Sequence, residues 1–117
     1  MDFKVIKEYE KHGRKIAIVH AGVPEEIKQI EEKFDFRAWS WYCGYVQVRK
    51  YLTEEQESDL IAPGGITYEG DLERYGIEGK FVGFDTAHYF TEDYTEQDVA
   101  KACEDLAKQL NEEGRES

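Results

Sequence analysis

Gly79-Lys80-Phe81-Val82-Gly83-Phe84-Asp85-Thr86-Ala87-His88 decides the reading of this chain. Phe81, Val82 and Phe84 form a nearly continuous apolar run, the pattern of a strand covered on both faces. The run ends in an acid, a hydroxyl and an imidazole. A strand buried on both sides needs a sheet beside it and layers above and below, so the flanking segments are read for what could supply them.

Downstream, after an aromatic loop with Tyr89, Phe90 and Tyr94, Thr95 stands three residues before Asp98, a capping-box-like helix start. Val99, Ala102, Cys103, Leu106 and Leu110 then recur at helical spacing and predict one packed stripe, with Cys103 a buried thiol within it. Residues 111–117 hold nothing to bury and are expected to fray as a flexible acidic tail, leaving residues 1–110 as a single domain.

Upstream, Gly70 to Gly79 reads as a polar connection carrying Arg74 and Tyr75. Pro63-Gly64-Gly65 opens a short strand, Ile66-Thr67-Tyr68; paired glycines there either make a tight turn or bring backbone N–H groups against a ligand. Thr53-Glu54-Glu55-Gln56 is a capping box for about two helical turns reaching Leu60. From Arg37 to Lys50 the period is two, with Trp39, Trp41, Cys43, Tyr45, Gln47 and Arg49 on one face. Gly44 on the other face implies a bulge or a close approach to the backbone. Pro24-Glu25-Glu26 begins a helix over roughly residues 24–34 with Ile27, Ile30 and Phe34 on its apolar side. Phe3, Val5, Lys7 and Tyr9 alternate along one strand that makes a hairpin with Ile16 to Val19 around Gly13, and His12 sits at its exposed turn. The sum is an α+β fold: a mostly antiparallel sheet of about five strands with two longer helices packed on one face.

Composition limits the function. The net charge of −11 repels phosphate backbones and anionic lipid heads, so direct nucleic-acid binding and membrane association are not expected. No apolar run is long enough to span a bilayer, and Met1-Asp2-Phe3-Lys4 does not begin a signal peptide, which predicts a cytoplasmic protein. Cys43 and Cys103 show no disulfide or zinc spacing, and His20, Asp85 and His88 add no ligand motif, so no metal and no cofactor are expected.

The chemistry-bearing residues converge on strand ends. Asp85 and His88 are close enough for the carboxylate to orient the imidazole as a general base, although no nucleophile motif accompanies them, with Thr86, Tyr89 and Cys43 the nearest candidates. The same two residues serve equally as turn-shaping and hydrogen-bonding groups. With Tyr45, Gly64, Gly65, Thr67 and Tyr68 they supply the rings, backbone donors, acid and imidazole of a pocket for a nucleotide-like or sugar-like ligand, to which Arg74 or Arg49 could add a phosphate fork. The expected site is a binding site, with no catalytic residue assigned.

These residues also carry a resemblance. Cys43-Gly44-Tyr45-Val46, Gly64-Gly65-Ile66-Thr67-Tyr68 and Gly83-Phe84-Asp85-Thr86-Ala87-His88, followed by a helix ending near Leu110, resemble three blocks of a family of small phage and prophage proteins, over roughly residues 37–110. Pro63 stands where that family usually has His, and Thr86 where it commonly has Cys. The resemblance implies a host-cell setting and an accessory protein that binds and blocks or sequesters a host or defence component, either a protein or a nucleotide-type small molecule. A small hydrolase or lyase using Asp85 and His88 on a phosphorylated or glycosidic substrate is the alternative, and assembly into a homo-oligomer is left open.

Overall fold

Lys11 and Arg14 face each other across a two-residue turn whose members both have positive φ, 54° at His12 and 76° at Gly13. That is the turn whose twist matches paired strands, and it joins β1 (Asp2–Lys11) to β2 (Arg14–Gly22) in the hairpin the sequence predicts. The computed structural model describes residues 2–22, 41–86 and 94–112. The helix expected over residues 24–34 lies outside them, as do Ala87, His88 and the segment from 113 onward.

β3 (Trp41–Val48), β4 (Tyr68–Leu72) and β5 (Ile77–Asp85) complete a five-stranded sheet in the order β1-β2-β3-β5-β4, with every neighbouring pair antiparallel. Between β3 and β4 a short helix, α1 (Glu54–Ser58), is held by the capping box of Thr53 and Gln56. The long helix, α2 (Glu96–Leu110), starts at Thr95 with both reciprocal bonds to Asp98, and those bonds hold the Asp98 carboxyl below its ordinary pKa.

Register sorts the side chains. Ile16, Ile18, Val46, Val82 and Phe84 point to the face on which α2 lays Val99, Cys103, Leu106, Ala107 and Leu110. The opposite face carries Ala17, Val19, Cys43, Tyr45, Leu72, Ile77 and Phe81, also buried. The central strands are thus covered on both sides, as the run in β5 predicts. Gly44 makes no bulge: its pairings to Ile18 and Phe84 are regular. A Cβ there would lie 2.5 Å from the Cys103 sulfur and 2.7 Å from the Phe84 ring, so the missing side chain lets α2 settle on the sheet.

Four expectations are corrected. The fourth strand is Tyr68–Leu72 rather than residues 66–68, and residues 70–79 hold strand, a 3-10 turn (Glu73–Tyr75) and the start of β5 at Ile77 rather than a loop. Edge strands keep one side wet, so the exposed acids Glu69 and Asp71 are tolerated there. In β1 the register slips at Ile6. Val5 consequently packs on the Cys43–Phe81 face and Tyr9 on the α2 face, although simple alternation puts both on one side. Asn111, assigned to the tail, is anchored: it accepts from Arg14 Nε at 2.9 Å and donates to the His12 carbonyl at 2.9 Å. Arg14, 3% exposed, also donates to the carbonyls of Gln47 and Leu110. A guanidinium at the carbonyl end of α2 complements the helix dipole there.

Candidate functional site

Cross-strand pairing builds the site. On the face away from α2, Cys43 pairs with Val19 and Asp85, while Tyr45 pairs with Ala17 and with Gly83, which in turn pairs with Tyr68. Gly83 leaves a gap between the two tyrosines. A Cβ there would come within 2.4 Å of the Tyr45 ring and 2.8 Å of the Gly44 carbonyl oxygen. The Tyr45 ring lies over this gap and meets Tyr68 edge-on, with centroids 5.3 Å apart and planes at 82°.

At this end of the sheet a cleft of 260 Å³ is lined by Phe3, Trp41, Cys43, Tyr45, Thr67, Tyr68 and Asp85. Four of the predicted residues therefore come together: Tyr45, Thr67, Tyr68 and Asp85. The Thr67 hydroxyl donates to Asp85 Oδ2 at 3.4 Å, and the Thr67 N–H donates to the Gly83 carbonyl at 2.9 Å, which fixes Thr67 beside β5 before β4 begins.

The other predicted residues stand elsewhere. Ala62-Pro63-Gly64-Gly65 is a turn closed by the Gly65 N–H on the Ala62 carbonyl at 2.9 Å, with φ of 72° at Gly64 and 83° at Gly65. Pro in the second place and a positive φ in the third are the features of a type II turn, so the glycines serve the backbone rather than the cleft. Arg74 lies outside the cleft lining, its guanidinium 5.7 Å from the Tyr68 ring and 5.1 Å from that of Tyr75. Arg49 follows the far end of β3. His88 lies outside the described residues, so the Asp–His pair is represented by Asp85.

Phe3 and Trp41 were not predicted. Trp41 was legible, since it shares the alternating face of Cys43 and Tyr45; Phe3 was not, because its place depends on the register of β1 on β2.

The reactive groups are quiet. Burial, and then the nearby Asp85 carboxylate, push the Cys43 thiol above its ordinary pKa, so at neutral pH it is a neutral thiol. Burial raises the Tyr45 phenol as well. Thr86, 2% exposed, donates its hydroxyl to the Tyr42 carbonyl at 2.9 Å and accepts from the Tyr42 N–H at 3.1 Å, extending the β3–β5 ladder by one rung. Its hydroxyl is a structural group. Among the described residues no group of three or more His, Cys, Asp or Glu is arranged to hold a metal ion, and no helix is long and apolar enough to cross a membrane.

Other concavities lack such a convergence. A groove of 610 Å³ runs between Ile61-Ala62-Pro63 on one side and Tyr94 with Ala102 and Asp105 of α2 on the other, where the Gln109 amide both donates to and accepts from the Ile61 backbone. A hollow of 280 Å³ is walled by Glu54, Glu57, Leu60 and Gly65. There, Glu57 is raised to about 7 by burial and by the neighbouring Glu69, and its Oε1 is buried without a hydrogen-bond partner.

No family model matches the chain, and the searches of curated proteins and of solved structures give no match either.

Proposed function

We propose that this protein is a non-enzymatic binding protein whose strand-end cleft receives a group of its partner, a host or defence protein or a nucleotide-type small molecule that it thereby blocks or sequesters. One observation carries the reading: Trp41, Tyr45, Tyr68, Thr67 and Asp85, from three separate segments, face one cleft, while the nearest thiol is protonated and the nearest buried hydroxyl belongs to the sheet. Aromatic walls with a few placed polar groups are the usual make-up of a recognition pocket. The resemblance of the three sequence blocks to small phage and prophage proteins supports an accessory role in a host cell.

Native mass spectrometry of the parent and of Asp85→Ala and Trp41→Ala proteins, purified from the same cells, tests this. The parent is expected to retain a partner or small ligand that both variants lose while keeping the parent's circular dichroism. Equal retention by folded variants overturns the assignment of the cleft.

A further inference from the structure

Resting on that binding role, the cleft's chemistry specifies what it takes: we infer that it receives the guanidinium of an arginine side chain projecting from a basic partner protein. Among the described residues lining the cleft, the one charged side chain is Asp85, an acid. The walls are the rings of Phe3, Trp41, Tyr45 and Tyr68. An aromatic ring presents a negative face, and a planar cation laid against it while forking to a carboxylate satisfies both groups at once.

Tyr68 shows the affinity in place, since its ring already has the Arg74 guanidinium 5.7 Å from its centroid. Arg74 is exposed, and its charge is screened by water at the rim. At Cys43, inside the cleft, the field of Asp85 outweighs that of Arg74.

Size points the same way. At 260 Å³ the cleft is smaller than the roughly 300–1,000 Å³ typical of small-molecule pockets, and it suits the end of one side chain better than a whole nucleotide. A nucleotide would also bring phosphates to a chain of net charge −11, whereas a basic partner is drawn to it.

The test uses a short Gly-Ser peptide with one central arginine and flanking lysines, and its twin with citrulline, which keeps the shape and removes the charge. Binding to the full chain is followed by tryptophan fluorescence and by NMR. The arginine peptide should bind and lose affinity by about tenfold on the citrulline change and by a similar factor in the near-isosteric Asp85→Asn protein. Glu78→Gln, on the exposed start of β5, should change it less than about twofold. Equal binding of the two peptides to the parent protein overturns the inference without relying on any variant. Adenosine monophosphate displacing the same Tyr45 and Trp41 signals while the arginine peptide fails overturns it too, yet leaves a binding cleft standing. If no probe binds and Asp85→Ala retains its cellular partner as the parent does, the binding role of the cleft fails with it.

Discussion

Replacing Gly83 by alanine should cost this protein about 2 kcal/mol and disorder its cleft. The new methyl would sit 2.4 Å from Tyr45 Cδ1 and 2.8 Å from the Gly44 carbonyl oxygen, both inside any real contact distance. The Tyr45 ring can swing, but the oxygen belongs to the backbone of a central strand. Overpacking of a buried site costs about 1–3 kcal/mol, and losing the edge-on contact with Tyr68 about 0.5–1.5 more. Burying the methyl and stiffening the unfolded chain return about 1 kcal/mol, which leaves a net loss near 2 kcal/mol. Urea unfolding of four proteins, the parent, Gly83→Ala, Tyr45→Ala and the double variant, measures it. In the Tyr45→Ala background the alanine at residue 83 should cost at least ~1 kcal/mol less, because the ring is gone and the carbonyl contact remains. If Gly83→Ala lies within ~0.5 kcal/mol of the parent, or its cost is the same in both backgrounds, the account of the glycine gap is wrong.

Two further outcomes are expected. Glu57, whose carboxyl rises from 4.5 to about 7 on folding, holds its proton more tightly in the native state, so its contribution is full below the unfolded pKa and is lost as pH rises through about 7. The shift alone corresponds to roughly 3 kcal/mol, which the water and salt that reach this half-buried group reduce to about 1. Glu57→Gln should therefore be more stable than the parent by that amount near ~pH 8 and equal to it near ~pH 4; the same gap at both ends would show that neither burial of the carboxylate nor its neighbour Glu69 is the origin. Arg14→Met, which strands the carbonyls of Gln47 and Leu110, should cost about 2–4 kcal/mol in urea unfolding, and Arg14→Lys should recover less than half, since an ammonium cannot fork to Asn111 and two carbonyls together; full recovery by lysine would reduce the site to a point charge.

Much of the fold could be read where local chemistry and tertiary packing agree. The hairpin turn, both capping boxes and the α2 stripe each rest on a few neighbouring residues whose geometry is fixed by their own side chains. The cleft was partly legible for the same reason, as Tyr45 and Asp85 point to one face by alternation within strands of settled register. What escaped depended on partners distant in sequence. The slip at Ile6 is visible only against β2, and it decides that Phe3 and Val5 share a face with Cys43 while Tyr9 does not. Gly64 and Gly65 looked like a ligand cradle because a glycine pair is compatible with both uses; Pro63 before them favours the turn. Thr67 and Tyr68 were correctly grouped with Asp85 although their strand was placed too early, because pairing to Gly83 fixes them from the side of β5.

The clasp between Arg14, Asn111 and the His12 carbonyl also governs the order in which the chain can mature. These partners are 97 and 99 residues apart. On the ribosome the hairpin is made before α2 and can close its turn, yet two of the three oxygens that receive its buried guanidinium, on Leu110 and Asn111, are made 96 and 97 residues later. Until α2 is in place, Ile16 and Ile18 lack the layer that buries them, and apolar surface exposed in that interval is open to misassociation. The face of the sheet that carries Ile16, Ile18, Val46 and Val82 therefore gains its cover late, when α2 docks on it.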